Sequence, residues 1–235
     1  MDHLSLLSLT GRGILGHYAA AMLDRARRFL RDLPRRIGYG RGPMLMSNLR
    51  RWWVLFRHPH ATIRFEGPVY LGPGFSLHMP AGGEFIVGPG VEFRRGFRAE
   101  VGPQGRVTIG AGSVFTYYVL IQCSTTIEIG ERAMFGQSTI VVDGNHRFRD
   151  LTKPMLAQGY DFRAIHIADD ATITTKCTII ADVGRRAFIG ANSVVLRDIP
   201  PFTVAAGIPA KPIDYFGPPG SEPAELAARS DDGGS

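Results

Sequence analysis

Large apolar residues recur every six positions through the middle of this 235-residue chain. They fall at Ile109, Phe115, Ile121 and Ile127, slip by two residues to Ile129, Phe135 and Val141, and return at Ile167, Ile173 and Ile179. After four residues the series resumes at Val183, Ile189 and Val195. A helix needs apolar residues at a period of about 3.6 and a half-buried strand alternates, so neither accounts for a period of six. The fourth residue after each apolar position is mostly small or β-branched: Ser113, Val119, Thr125, Ala133, Thr139, Ala171, Cys177, Ala187 and Ser193. Glycine directly follows Ile109, Ile129, Phe135 and Ile189, where a backbone without Cβ can turn sharply. Short strands with a corner every six residues, stacked into a solenoid, satisfy this pattern. Weaker traces at Ile63, Val69 and Phe75, and at Phe85, Val91 and Phe97, start irregular early coils near residue 62.

The hydrophobic content of 44% supports one sizeable core with extensions rather than two full domains. Only Cys123 and Cys177 occur, without metal-ligand or redox spacing, which argues against a disulfide framework or zinc ribbon and suits a reducing cytoplasm. The net charge of +6 is concentrated at one end: residues 1–60 hold 11 Arg against 3 Asp. No apolar run approaches the roughly 20 residues that cross a bilayer, and the start lacks the order of a signal peptide. The chain is therefore expected to be cytoplasmic, with peripheral contact at the inner membrane face left open.

Residues 14–33 read as an amphipathic helix ended by Pro34, and a second short helix holds Leu45, Leu49, Trp52, Trp53 and Phe56 beside Arg50, Arg51 and Arg57. Two roles suit this basic extension: capping the open end of the solenoid, or touching an anionic membrane or lipid-linked substrate. Nucleic acid is not expected, because no nucleic-acid motif accompanies the charge. Residues 222–229 are expected to form a short helix, followed by a polar tail.

The repeats IGAGSV, IGERAM, FGQSTI and IGANSV resemble the hexapeptide repeat of left-handed β-helix acyltransferases, in which three hexapeptides make one triangular coil. The left hand is implied by this resemblance alone, since crossovers between parallel strands are otherwise right-handed. Asp198-Ile199-Pro200-Pro201 and Gly207-Ile208-Pro209-Ala210-Lys211-Pro212-Ile213 resemble the closing segment of that family. The fold expected is all-β: a left-handed parallel β-helix over 62–215, an N-terminal helical extension over 1–61, and a short helix and tail over 216–235.

Asp143-Gly144-Asn145-His146 interrupts the repeats and opens an unpatterned stretch, so a loop over 144–164 should leave the solenoid here. This segment, with Pro154 and Gln158-Gly159, resembles the motif loop of sugar and polysaccharide O-acetyltransferases. The resemblance implies that His146 is the catalytic base. A neutral imidazole can take the proton of a sugar hydroxyl as it attacks a thioester. Asp143 or a backbone carbonyl would fix the ring tautomer, and a corner N–H or Asn145 would serve the tetrahedral intermediate. Neither cysteine lies near a histidine in a motif favouring an acyl-enzyme, so direct transfer is expected.

The resemblance also implies a homotrimer that holds acetyl-CoA or another acyl-CoA between neighbouring prisms. Thr175, Ala191 and Leu196 would hold the pantetheine arm, and Arg197 or Lys211 would meet its phosphates. Tyr117, Tyr118, Arg149 and Gln158 are candidate contacts to a carbohydrate acceptor. Ile167-Ala168-Asp169 and Thr172-Ile173-Thr174 depart from the family's I-G-D and W-I-G, and the missing tryptophan leaves the acyl pocket open in size. No metal is expected. A carbonic-anhydrase-like enzyme on this fold would need a histidine pair about one hexapeptide apart, which the sequence lacks, and a non-catalytic trimeric scaffold is the other alternative. The acceptor, the position acylated, the acyl length and the choice between O- and N-transfer are not written in the sequence.

Overall fold

The computed structural model describes residues 44–226, a helix followed by a left-handed parallel β-helix of three sheets. The first sheet stacks β1 (Thr62–Phe65), β4 (Glu84–Val87), β7 (Arg106–Ile109), β10 (Thr126–Ile129) and β15 (Ile165–Ile167). The second stacks β2 (Tyr70–Leu71), β5 (Glu92–Phe93), β8 (Val114–Phe115), β11 (Met134–Phe135), β16 (Thr172–Ile173), β18 (Phe188–Ile189) and β20 (Thr203–Gly207). β21 (Ala210–Tyr215) then closes this sheet antiparallel to β20. The third stacks β3 (Ser76–His78), β6 (Arg98–Val101), β9 (Leu120–Cys123), β12 (Ile140–Val142), β17 (Thr178–Ile179) and β19 (Val194–Val195). Beyond β15 the first sheet shrinks to single bridges, Ile167 to Val183 and Val183 to Ile199, because these last coils are shorter.

All thirteen positions of the six-residue series are buried. Of the nine small positions between them only Thr125 is not fully buried, so the core has a large and a small inward residue at each corner. A ladder of Phe93, Phe115 and Phe135 runs along the axis, with ring centroids 5.0 and 4.6 Å apart, close to the spacing of adjacent strands.

The glycines after the apolar positions work differently from the sequence expectation. Gly110 and Gly130 are not among the left-handed residues. A Cβ on Gly110 would instead lie 2.5 Å from the carbonyl carbon of Gly130 in the next coil, so glycine here permits close stacking of backbones. The left-handed corner falls two residues later, at Gly112 (φ 71°), Arg132 (54°), Ser138 (57°) and Asn192 (59°).

α1 (Met44–Arg57) buries Ser47 and Val54, whereas Leu45, Leu49, Trp52, Trp53 and Phe56 are exposed. The expected apolar face thus points away from the coils, because the first coil offers unpaired backbone groups that only a polar face can satisfy. Ser47 Oγ donates to the Val69 carbonyl (3.1 Å) and accepts from the Leu71 N–H (2.8 Å). Arg50 donates to the Leu71 carbonyl (2.8 Å), and Arg51 to those of Gly67 and Phe65. No helix among the described residues is long and apolar enough to cross a membrane. The helix expected over 14–33 lies outside the described residues, and of the one expected at 222–229 the described part is a single turn at 224–226.

Candidate active site

The loop leaves the prism at the corner between the third and first sheets. Successive partners on the first sheet, Val107, Ile127 and Ile165, are 20 and then 38 residues apart, so this coil carries a long insertion. The insertion begins as an antiparallel hairpin of β13 (Gly144–His146) and β14 (Tyr160–Phe162), which pairs Gly144 with Phe162, Asn145 with Asp161 and His146 with Tyr160. Arg147 N–H donates to the Gly159 carbonyl (3.0 Å), and Arg163 N–H closes the root on the Asp143 carbonyl (2.8 Å). The hairpin lifts an exposed His146 off the corner. Among the described residues its imidazole makes no hydrogen bond and lies against the ring of Tyr160, centroid to centroid 4.3 Å.

Asp143 is not brought to that imidazole. It is buried, and its carboxylate accepts from Ser124 N–H (2.9 Å), Thr125 N–H (2.6 Å) and the Thr125 hydroxyl (2.8 Å). Asp182 does the same for His166 N–H (2.8 Å), and Asp198 for Asp182 N–H (3.1 Å). These three aspartates use their carboxylates to bind corner N–H groups of the preceding coil, which explains why an aspartate closes this corner without facing the histidine. Asn145 is also turned from His146, since neighbouring residues of a strand point to opposite faces. Asn145 shares its face with Asp161 and Arg147, which pair at 2.6 Å.

Gln158 is consumed by the loop: its amide donates to the Asp150 and Lys153 carbonyls and accepts from Asp150 N–H, each near 3.0 Å. Arg149 is exposed and covers the ring of Phe148 at 5.2 Å. Tyr117 and Tyr118 sit at the opposite corner, between the second and third sheets, so within one chain the coil separates them from His146. Tyr118 has a left-handed φ of 58° and stays exposed.

Leu196, Arg197 and Lys211 come together in a groove of about 520 Å³, closed by Pro209, Ala224 and Glu225. Thr175 and Ala191 lie elsewhere, stacked on the corner between the second and third sheets, where Asn192 N–H donates to the Thr175 carbonyl (3.0 Å). Val141, Ile179 and Val195 form one column of the third sheet, so Leu196 and Arg197 follow the same prism edge as the root of the His146 loop. Two strand spacings, roughly 10 Å, separate them along the axis. Arg163, at the end of the loop, ties the two regions by pairing with Asp182 and Asp198.

Cys123 is buried beneath Asp143, and its thiol is pushed up to about 12, first by desolvation and then by the carboxylate of Asp143. Such a thiol holds its proton and is a poor nucleophile. Among the described residues no three His, Cys, Asp or Glu side chains cluster as a metal site requires. Sequence reasoning passed over Tyr160 and Phe162, although Tyr160-Asp161-Phe162 alternates opposite Gly144-Asn145-His146 as a hairpin partner should.

A prism of six-residue coils thus carries a histidine-bearing hairpin on one edge and, further along it, a groove in which Arg197 and Lys211 stand beside Asp198 and Glu225. No family model matches the chain. It is 30% identical over 175 residues to a probable acetyltransferase of Mycobacterium tuberculosis, covering 69% of this chain and 56% of the relative. The serine acetyltransferase of Salmonella typhimurium is 30% identical over 131 residues, 54% of this chain and 41% of that enzyme. The chain thus spans about half the length of the curated relatives it matches. In fold it is similar to a hexapeptide-repeat acetyltransferase of Vibrio cholerae solved with acetyl coenzyme A, with a TM-score of 0.50, 21% identity, and coverage of 85% of this chain and 92% of that one. It is also similar to the AntD N-acyltransferase of Bacillus cereus, solved with dTDP and coenzyme A, with a TM-score of 0.56, 17% identity and coverage of 72% and 89%. The chain thus has the left-handed β-helix fold of these solved acyltransferases and is similar in sequence to acetyltransferases over part of their length.

Proposed function

We propose that the protein is an acyl-CoA-dependent O-acyltransferase, with acetyl-CoA as donor and a sugar or polysaccharide hydroxyl as acceptor. The observation that carries this reading is the placement of His146, raised on a hairpin at the prism edge that also leads to the Arg197 and Lys211 groove. The imidazole takes the hydroxyl proton as oxygen bonds to the thioester carbon. Collapse of the tetrahedral intermediate breaks the C–S bond, and the departing thiolate takes the proton from the imidazolium to leave as the free thiol of CoA. Arg197 and Lys211 hold the donor's phosphates by charge. In this reading transfer is direct, and Cys123, whose thiol burial holds protonated, is not the carrier of an acyl-enzyme.

The working unit in this reading is a homotrimer. Outward residues of the first sheet are mostly polar or charged, Glu84, Arg106, Glu128 and His166 among them, whereas the second and third sheets turn Met134, Phe188, Leu120 and Ile140 outward beside the polar Glu92, Arg98, Glu100 and Gln122. Apolar outward residues on two of the three faces suit a closed ring in which one of these faces meets the other on the neighbour. The loop tip adds Leu151 and Leu156, 98% and 86% exposed, as further apolar surface for a neighbouring copy.

The test is a screen of acetyl-CoA with sugars and oligosaccharides, following thiol release and product mass. The wild-type chain should form an ester product, and His146→Gln should lose about 10² to 10⁴ in turnover while still binding the donor. Unchanged turnover in His146→Gln removes the histidine from the chemistry, and absence of transfer from any acyl-CoA removes the activity.

A further inference from the structure

One face of the hairpin is an aromatic row aimed at His146. Strand alternation puts Gly144 and His146 of β13 on the same face as their partners Phe162 and Tyr160 of β14. The Tyr160 ring lies 4.3 Å from the imidazole at 39°, and Phe162 stacks behind Tyr160 at 5.6 Å and 13°. Glycine at 144 is what allows this: a Cβ there would lie 2.7 Å from two ring atoms of Phe162, so any side chain would displace that ring. On the opposite face the Arg147 to Asp161 pair holds the strand register. A slip of one residue would carry Tyr160 to the wrong face.

We infer that Tyr160 is a positioning residue for His146, with Phe162 and Gly144 as its support. This rests on the proposed role of His146 as base. An exposed imidazole with no hydrogen bond to the described residues rotates freely about two side-chain bonds, and a base is effective only within hydrogen-bond reach of the proton it removes. The tilted ring contact with Tyr160 narrows that freedom without occupying either ring nitrogen, so both stay available for the acceptor and the leaving thiolate. The hydroxyl of Tyr160 plays no part; the ring does the positioning.

The experiment compares Tyr160→Leu, Tyr160→Phe, Phe162→Leu and Gly144→Ala by steady-state kinetics and by proton NMR of the His146 ring, whose resonance is identified by its loss in His146→Gln. Tyr160→Leu should lower kcat about three- to tenfold, the range expected for losing one aromatic contact. Its KM for acetyl-CoA should stay within about twofold, and the ring-current shift of His146 should vanish. Tyr160→Phe should restore both. Phe162→Leu and Gly144→Ala, which do not touch the imidazole, should reduce kcat and the shift together, by less. Loss of the shift in Tyr160→Leu at wild-type kcat overturns the inference, as does a KM change without a kcat change. Should Tyr160→Leu not fold, the parallel fall of kcat and shift in Phe162→Leu and Gly144→Ala decides, and wild-type kcat in both overturns it. Wild-type turnover in His146→Gln is a separate result: it removes the base itself, whatever the Tyr160 variants do.

Discussion

Asp143 holds Thr125 at two points, accepting its backbone N–H at 2.6 Å and its hydroxyl at 2.8 Å, and so locks the root of the hairpin to the preceding coil. The carboxylate is buried and also serves Ser124 N–H, which makes it an anchor for the loop and not a partner of the imidazole three residues later.

Replacing Asp143 with Ala should therefore be read mainly in stability. The change strips the acceptor from two backbone N–H groups and a hydroxyl at a site with little water, at a cost of about 2 to 4 kcal/mol. Asp143→Asn keeps one acceptor oxygen and should cost about half as much. Urea unfolding measures the loss, and residual kcat of the folded Asn variant should stay within about tenfold of wild type. A hundredfold loss of kcat at unchanged stability would return Asp143 to the chemistry.

Cys123 yields a pH prediction. Its thiol has an ordinary value of 9.0 and is pushed up to about 12 in the folded chain by desolvation and the nearby Asp143 charge. The folded state therefore holds the proton more tightly than the unfolded state does. The stability this contributes is fully present below about pH 9 and is lost as pH rises toward 12. Unfolding midpoints measured from pH 8 to 11 should fall less steeply for Cys123→Ala than for wild type, although Cys123→Ala should be less stable at pH 8 through lost packing. Parallel slopes would show that the thiol ionises alike in both states.

The coils were legible because burial repeats: Ile109, Phe115 and Ile121 point inward for the same reason, and a six-residue period has few physical solutions. The start of the loop at Asp143 was legible as a break in that period. Side-chain roles within the break were harder to read. Asp143 lies near His146 in sequence, but what fixes its direction is the corner N–H groups of the preceding coil, which no local spacing announces. Gln158 looked available for a substrate and is taken by carbonyls that exist only once the loop has closed. The exposed tryptophans of α1 show the converse: an apolar stripe predicts burial only where the surface beneath is apolar, and here that surface is a sheet edge requiring Ser47, Arg50 and Arg51.

The groove lined by Leu196, Arg197 and Lys211 can be tested apart from the hairpin. If the two cations meet the phosphates of the donor, Arg197→Ala and Lys211→Ala should each raise KM for acetyl-CoA about three- to tenfold, since a partly exposed charge pair is weakened by solvent. Raising the salt concentration should raise the wild-type KM and narrow the gap to the variants. A short acetyl thioester lacking the nucleotide and its phosphates separates charge recognition from groove shape. With that donor both variants should match wild type in KM and kcat, because neither cation has a phosphate to meet. Equal losses with the two donors would mean that Arg197 and Lys211 shape the groove or the fold instead, and would move the phosphate contacts to a neighbouring copy of the chain.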